Sequence, residues 1–173
     1  AIELAKTGVF VFISARNEEK LKETLKFIEE SGGKGKILIC NLAETESINN
    51  LINTVKSETE SLDILCNVAG IWHGKDKVYA DTDFENFDQK TILDTYSVGI
   101  TAPTLLSHGL IPIMVKGGKI INISGTFENG AKGWIPYYVS KKAIEDLTIG
   151  LSQELEEKDI PVNCISPSDT ATE

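Results

Sequence analysis

The stretch VFVFIS (residues 9–14) is an unbroken run of apolar side chains that ends in a serine. Such a run, without alternating polar residues, is typical of a strand that is buried on both faces, as in parallel sheets. Apolar residues then recur at helical spacing, at Leu21, Leu25 and Ile28. The glycine pair 32–33 ends that segment. The sequence therefore predicts a buried strand followed by an amphipathic helix.

The same alternation continues along the chain. Four further apolar runs predict strands: KILIC (36–40), LDILCNVAG (62–70, with its exit turn), KIINIS (119–124) and PVNCIS (161–166). Helical spacing separates them, including a long region over about 84–115 and a helix over about 137–157. Strands that alternate with helices predict a doubly wound parallel sheet in a three-layer α/β/α arrangement. We expect a single domain over residues 1–173.

The composition excludes some function classes. Charged residues make up 25% of the chain and the net charge is −9, which would repel nucleic acid backbones and anionic lipid. No stretch approaches the roughly 20 apolar residues that a membrane-spanning helix needs. We therefore expect a cytoplasmic protein that binds neither nucleic acid nor membrane.

Cysteines and glycine pairs are interpreted as structural. Cys40, Cys66 and Cys164 lie in predicted strands, and an odd number of cysteines gives no closed disulfide framework. We expect reduced, buried thiols, and no metal site. The glycine pairs at 32–33 and 117–118 follow predicted helices, so they are interpreted as helix stops and not as phosphate-binding turns.

Ligands of open parallel sheets bind outside the carboxyl ends of the strands, so the residues that follow each predicted strand are candidates for a site. They are Ala15-Arg16-Asn17, Asn41-Leu42, Asn67-Val68-Ala69-Gly70, Ser124-Gly125 and Ser166-Pro167-Ser168. All five exits carry small or polar residues. Such residues also form ordinary turns, so the exits alone leave both interpretations open.

YYVSKK (residues 137–142) contains two tyrosines that each precede a lysine by four residues. At 100° per residue, Tyr137 and Lys141 lie about 40° apart at the edge of the apolar stripe of their helix. Tyr138 and Lys142 fall in the charged arc. Ser124 precedes Tyr137 by thirteen residues, at the exit of the preceding strand. We therefore select Tyr137 and Lys141 as the functional pair, and interpret Tyr138 as a surface aromatic or a subunit contact.

Asn67 to Gly70, Ser124, and Tyr137 with Lys141 match an Asn-x-Ala-Gly turn, a serine and a Tyr-x-x-x-Lys pair in order and spacing. This set resembles the short-chain dehydrogenase/reductase family in its single-domain branch. The segment VNCISPSDTATE (162–173) is similar to the family's nicotinamide-side segment. The resemblance implies a Rossmann-like fold and an NAD(P)-dependent oxidoreductase that acts on a carbonyl or secondary alcohol.

The resemblance also implies a role for each of the three side chains. Tyr137 would be the acid/base, although a free phenol with a pKa of about 10 is a slow acid near neutrality. Lys141 would lower that pKa by its charge and reach the nicotinamide ribose. Ser124 would hydrogen-bond the substrate oxygen, with Thr126 as the alternative, because Gly125 stands where the family usually has a second serine.

Cofactor contacts follow from the same resemblance. Arg16 follows the strand at residues 9–14, which corresponds to the second strand of the family. An arginine at this place suits the 2′-phosphate of NADP, so NADP(H) is favoured, with NAD(H) as the alternative. Asn67 is also expected to tie adjacent strands together. The expected cofactor-binding residues are Arg16, Asn41, Asn67, Ala69, Gly70, Tyr137, Lys141, Pro167 and Thr172.

The chain departs from the family's pattern at both of its ends. The family's glycine-rich turn is absent before AIELAKTG (residues 1–8), which predicts the tail of a helix, so we expect a fragment that also lacks the C-terminal substrate region.

Tyr96 stands where the family has a proton-relay asparagine. The alternative function is therefore a non-catalytic nucleotide-binding relative. Family members assemble through the two long helices, which implies a homodimer or homotetramer.

Overall fold

The computed structural model describes residues 1–72, 81–127 and 130–168. The chain divides into two compact units, Ala1–Glu58 and Thr59–Glu173, and each is described by itself. The single domain expected over residues 1–173 stays a prediction.

The first unit alternates helices and strands around a small apolar core. Its elements are α1 (Ile2–Lys6), β1 (Phe10–Ala15), α2 (Glu18–Glu30), β2 (Lys34–Ile39) and α3 (Thr45–Glu58). β1 and β2 pair in parallel, from Phe10 opposite Lys34 to Ala15 opposite Ile39. Buried Ala5, Ile13, Leu21 and Ile28 form the core between helices and sheet.

Both ends of α2 follow the local chemistry of the sequence. The Asn17 side-chain oxygen accepts a hydrogen bond from the Lys20 N–H at 3.0 Å, which caps one of the free donors at the start of the helix. Gly32 follows the helix with a φ of +80°, a conformation that suits glycine. The prediction that the pair 32–33 stops this helix is confirmed.

The second unit contains a three-stranded parallel sheet in the order β3-β4-β5. Its strands are β3 (Leu62–Asn67), β4 (Met114–Ile123) and β5 (Val162–Ile165). Its α-helices are α4 (Gln89–Tyr96), α5 (Ala102–Leu110) and α6 (Ile135–Glu154). Ile120, Leu155, Ile160 and Val162 form one buried core cluster. The predicted parallel pairing of the strands is confirmed in both units.

The glycine pair 117–118 does not stop a helix, so that prediction is wrong. α5 ends at Leu110, a 3₁₀ turn occupies Ile111–Ile113, and β4 runs through both glycines. Gly117 has a φ of +81°, and its N–H donates to the Asp159 carbonyl at 2.7 Å. A Cβ at Gly118 would lie 2.8 Å from the Val115 oxygen, so the irregular strand needs glycine here.

The long helical region expected over 84–115 is interrupted. A 3₁₀ turn (Phe84–Asn86) precedes α4, and a π-helical segment (Ser97–Thr101) separates α4 from α5. Within this segment, a Cβ at Gly99 would lie 2.7 Å from the Ser140 Cβ of α6. Gly99 therefore permits the close approach of α6.

The cysteines match the expectation only in part. All three are free thiols, and Cys40 is buried. Cys66 is exposed and Cys164 is half-buried, so burial was wrongly predicted for Cys66. The reason is that Cys66 lies on β3, which has a neighbouring strand on one side only within its sheet. Among residues 1–72, 81–127 and 130–168, no helix is long and apolar enough to cross a bilayer.

Candidate active site

Tyr137 and Lys141 lie in the first two turns of α6. The helix begins beside Pro136, which is buried and has no N–H to leave unpaired at a helix start. The Ser140 hydroxyl donates to the Tyr137 carbonyl at 2.7 Å, within the same turn. Tyr137 and Lys141 are thus both carried by the start of one helix, α6.

Five aromatic side chains surround the start of α6, and we call them the aromatic cluster: Trp72, Phe127, Trp134, Tyr137 and Tyr138. The Tyr137 ring centroid lies 5.0 Å from that of Trp72 and 5.9 Å from that of Phe127. Trp72 and Trp134 are 4.4 Å apart, and Phe127 contacts Tyr138 at 5.0 Å. The Tyr137 ring is therefore held between aromatic faces from two different loops.

Lys141 is a buried cation beside this ring. Lys141 is only 4% exposed, and its Nζ donates to the Ile123 carbonyl at 2.8 Å. Nζ also lies 5.3 Å from the centroid of the Tyr137 ring. Burial lowers the pKa of Lys141, and the nearby Cys164 thiol acts in the opposite direction.

Burial raises the pKa of the Tyr137 phenol above its ordinary value. The sequence-based expectation was the reverse, a pKa lowered by the charge of Lys141. The difference arises because the ammonium faces the ring and the Ile123 carbonyl, while desolvation of the phenol disfavours the phenolate. Tyr137 is therefore a protonated acid at neutral pH.

Ser124 directly follows β4 and is 2% exposed. Its hydroxyl oxygen lies 2.7 Å from Glu145 Oε1 and 3.0 Å from the Lys141 carbonyl oxygen. Both of these partners are acceptors, and a serine hydroxyl has only one proton to donate. The structure thus brings Ser124 to the helix of Tyr137 and Lys141, with its hydroxyl engaged by α6.

Glu145 on α6 also contacts the site, and it was not selected from the sequence. Its carboxylate accepts hydrogen bonds from Ser124 and from Lys142 Nζ, the latter at 2.8 Å. Burial acts to raise its pKa, but the hydrogen bonds from Lys142 and Ser124 prevail and the pKa is lowered. The available signal was its position four residues after Lys141, on the same helical face.

A buried polar network lies directly beneath the site. Asn67 Nδ2 donates to Asn122 Oδ1 at 2.9 Å, and Asn122 Nδ2 donates to Thr148 Oγ1 at 2.9 Å. These bonds join β3 to β4 and β4 to α6. The expectation that Asn67 ties neighbouring strands together is confirmed. Asn122 and Thr148 were not selected from the sequence.

The turn after β3 passes close to Lys141, so that only a residue without a side chain fits there without displacing its neighbours. A Cβ at Gly70 would lie 3.3 Å from Lys141 Nζ and 3.6 Å from Tyr137 Cε2. Ala69, which precedes it, is exposed. Gly125, which follows Ser124 after β4, also lies close to the site. A Cβ there would lie 3.9 Å from the Tyr137 hydroxyl. Exposed backbone therefore passes close to both reactive groups.

The segments after β4 and β5 are joined by hydrogen bonds. The Thr126 N–H and the Thr126 hydroxyl each donate to the Pro167 carbonyl at 3.2 Å. Thr126 and Pro167 are both exposed at this edge. Thr172 lies outside the described residues.

A family model described as short chain dehydrogenase matches residues 1–173. The chain belongs to the short-chain dehydrogenase/reductase family. Its members are oxidoreductases.

Individual relatives agree with this family. The short-chain reductase protein NovJ of Streptomyces niveus is 29% identical over 172 residues, which cover 99% of this chain and 64% of NovJ. A 3-oxoacyl-[acyl-carrier-protein] reductase of Haemophilus influenzae is 28% identical and matches 100% of this chain, but 69% of its own length. The chain thus spans about two thirds of these short-chain dehydrogenases.

Solved structures confirm the Rossmann-like α/β fold. A metagenomic short-chain oxidoreductase in complex with NADP has a TM-score of 0.86 and 26% identity, covering 96% of this chain and 74% of that one. The prediction of a short-chain dehydrogenase fold is therefore confirmed.

Two residues of the first unit were expected to contact the cofactor of this short-chain dehydrogenase. Arg16 directly follows β1, is exposed, and forms no salt bridge in the part of the chain that the structure describes. Asn41 follows β2, where its side-chain oxygen accepts from the Ala43 N–H at 3.2 Å and its Nδ2 donates to Glu44 at 2.7 Å. Its amide is thus used in the turn before α3.

Tyr96 is the last residue of α4 and is half-buried, directly before the π-helical segment. A π segment inside a helix changes the direction of the side chains around it and is frequent at functional sites. Tyr96, where the resemblance implied an asparagine, therefore lies next to the irregular part of this helix.

Proposed function

We propose that the protein containing this chain reduces a carbonyl group to a secondary alcohol with NADPH, and catalyses the reverse oxidation. The observation that carries the proposal is the pair on α6: a half-buried phenol, Tyr137, beside the buried ammonium of Lys141. The pair lies at the carboxyl ends of β3 and β4, the edge at which parallel sheets bind ligands.

Tyr137 is the proposed acid. Hydride addition to a carbonyl generates an alkoxide that needs a proton, and the nicotinamide supplies the hydride when it is bound. Because burial raises the pKa of Tyr137, the phenol keeps its proton at neutral pH and can donate it to the substrate oxygen. In the direction of oxidation, the same oxygen must first lose its proton.

Lys141 is the proposed cation of the site. Its ammonium has three protons, and the Ile123 carbonyl accepts one of them. The charge favours the phenolate that forms as Tyr137 gives up its proton, and the remaining donors suit hydroxyl groups of the nicotinamide ribose.

Ser124 is the proposed hydrogen-bond donor to the substrate oxygen. For this its hydroxyl has to exchange Glu145 for the substrate, since a single proton serves only one acceptor at a time. Thr126 is the alternative donor, because it lies on the same loop and is exposed, and its hydroxyl would have to exchange the Pro167 carbonyl for the substrate. Comparing kcat for Ser124→Ala and Thr126→Val separates the two: the true donor loses the larger factor.

The cofactor proposal favours NADP(H) over NAD(H). In the first unit, Arg16 offers an exposed, unpaired guanidinium that suits a 2′-phosphate, and Asn41 is proposed to lie near the adenine. In the second unit, Gly70 provides backbone without a side chain beside Lys141 and Tyr137. The remaining proposed contacts are Asn67, Ala69, Pro167 and Thr172. Arg16→Ala should lower the preference for NADPH over NADH about tenfold.

Assembly into a homodimer or homotetramer is also proposed. Leu93 on α4 is 63% exposed and Ile149 on α6 is 57% exposed, although both are large apolar residues. A second copy of the chain would remove this apolar surface from water. Light scattering of the purified protein gives its mass directly, and Ile149→Lys should increase the monomeric fraction.

The central test uses the protein encoded by the complete gene, with NADPH oxidation measured against a panel of ketones. Tyr137→Phe should lower kcat/KM at least about 100-fold, since it removes the acid but keeps the ring. Tyr138→Phe is the matched control and should retain activity. Activity that survives Tyr137→Phe refutes the assigned acid, whereas NADPH binding without turnover in the unmodified protein supports the non-catalytic alternative.

A further inference from the structure

The aromatic cluster is assembled from the loop after β3, the β4–α6 connection and the start of α6, all in the second unit. Trp72 comes from the loop after β3, Phe127 from the loop after β4, and Trp134 from the turn that leads into α6. Each approaches Tyr137 directly or through another ring, at centroid distances between 4.4 and 6.3 Å. Two connections, the one after β3 and the one between β4 and α6, therefore place aromatic rings around one reactive hydroxyl.

The rings are not sealed in a core. The Trp72 residue keeps 36% of its surface exposed, and Phe127 and Trp134 are only half-buried. Their packing is edge-to-face or tilted, with interplanar angles of 73° for Trp72 with Tyr137 and 87° for Phe127 with Trp134. Aromatic faces in such an arrangement remain available for a further flat ring, which prefers offset-stacked or edge-to-face contacts.

Gly125 borders the space at the Tyr137 hydroxyl. A Cβ at Gly125 would meet the Phe127 ring at 3.5 Å and the Tyr137 hydroxyl at 3.9 Å. The cation Lys141 is buried and faces the Tyr137 ring and a carbonyl. An anionic or sugar-like substrate would thus meet aromatic faces instead of charges and hydrogen-bonding groups at these contacts.

We infer that the substrate is a ketone fused to, or attached beside, a flat aromatic ring system, which stacks on Trp72 and Phe127 while its carbonyl reaches Tyr137. This inference rests on the proposed function, because it concerns the substrate class of that same site. The ring system contributes binding at a distance from the reacting carbon, and that binding orients the carbonyl for proton transfer.

The test compares two bicyclic ketones of the same skeleton on the protein encoded by the complete gene. In 2-tetralone the ring beside the ketone ring is aromatic and flat, and in trans-2-decalone it is saturated. The carbonyl is unconjugated in both. We expect kcat/KM with NADPH to be at least about tenfold higher for 2-tetralone, which is the factor that one or two ring contacts supply.

Trp72→Leu keeps an apolar side chain and removes the flat ring. The ratio of the two kcat/KM values should then fall about tenfold, mainly through KM for 2-tetralone. Phe27→Leu is the matched aromatic-to-leucine control on α2 of the first unit, and it should leave the ratio unchanged. The ratio measured in the unmodified protein does not depend on whether either variant folds.

Failure of the inference is distinguishable from failure of the proposed function. Equal kcat/KM for both ketones, with activity still dependent on Tyr137, overturns the aromatic substrate class and leaves the reductase intact. A preference for 2-tetralone that Trp72→Leu does not alter in a folded variant also overturns it. No Tyr137-dependent reduction of any ketone in the panel overturns the proposed function itself.

Discussion

The Ser124 hydroxyl oxygen lies 2.7 Å from the Glu145 carboxylate, and this contact ties the end of β4 to the helix that carries Tyr137 and Lys141. A second contact, from the same hydroxyl to the Lys141 carbonyl, places the serine against the backbone of that helix. Glu145 thereby holds Ser124 beside the helix that carries the two other proposed catalytic groups.

Replacing Glu145 should reduce activity through Ser124, because Glu145 holds the serine against α6 before its hydroxyl turns to the substrate. Glu145→Ala is expected to lower kcat about tenfold, and Glu145→Gln less, because the amide oxygen can still accept the hydrogen bond. In a double-mutant cycle with Ser124→Ala, the two losses should not add, with a coupling energy of about 1 kcal/mol or more. Strictly additive losses would mean that Glu145 acts independently of Ser124.

The same carboxylate predicts a pH dependence of stability. Its pKa in the folded protein lies below the ordinary 4.5, so ionisation stabilises the fold above the unfolded-state pKa, and this contribution is lost as pH falls through the lowered folded value. The free energy of unfolding of the wild type should exceed that of Glu145→Gln near neutral pH. Urea unfolding of both proteins should show this difference shrinking as the solution is acidified below 4.5. A constant difference would contradict the assignment.

Asn122 is expected to be the most costly polar position to replace. Asn122→Leu leaves the Asn67 amide without its acceptor and removes a donor to Thr148, and both partners are buried. The free energy of unfolding should fall by roughly 2–4 kcal/mol. Asn163→Leu is the control on β5, where the side chain is exposed and the change should stay within about 0.5 kcal/mol. Similar losses for the two variants would argue against the network.

Gly99 should be essential for the position of α6. Gly99→Ala would place its Cβ 2.7 Å from the Ser140 Cβ, directly beside Lys141, so the helix must shift. We expect a loss of about 1–3 kcal/mol in unfolding free energy, together with at least about tenfold lower kcat. Gly150→Ala on α6 meets nothing within 4 Å and should instead stabilise the helix by about 0.5–1 kcal/mol. Thermal unfolding and steady-state kinetics of both variants test this contrast.

The raised pKa of Tyr137 predicts opposite pH profiles for the two directions of reaction. Reduction uses the protonated phenol, whose fraction stays near one until the pH approaches a pKa that burial has moved above 10. Oxidation needs the phenolate, so its rate should rise about tenfold per pH unit below that pKa. Measured between about pH 6 and about pH 8, reduction should stay flat while oxidation climbs. A reduction rate that falls across this range would identify another group as the acid.

The order of strands and helices was readable from the sequence because apolar runs and helical periodicity are local properties. Runs such as residues 9–14 and 119–124 correspond to β1 and to the end of β4, and the parallel pairing predicted from the alternation is present. The preference for Tyr137 over Tyr138 came from the same local geometry. That preference stays a prediction, although Lys142 pairs with Glu145 whereas Lys141 faces the Tyr137 ring.

Local reasoning failed where an alternative structure satisfies the same pattern. Glycines at 117–118 are compatible with a helix stop and with an irregular strand, and only the approach of Asp159 and Val115 to their backbone distinguishes the two. Cys66 is part of an apolar run, yet its burial depends on which strands flank β3. Asp159 and the strand that flanks β3 are both distant in sequence from the residues whose structure they decide.

The sequence by itself determined the α/β alternation, the short-chain dehydrogenase motifs and the place of the tyrosine–lysine pair, because each depends on residues within a few turns of one another. Only the tertiary structure decided that Ser124 binds Glu145, that Asn67 reaches Thr148 through Asn122, and that aromatic rings converge on Tyr137. Burial likewise decided that the pKa of Tyr137 rises. Desolvation and hydrogen-bond partners are set by the packing of separate segments, which local sequence patterns do not specify.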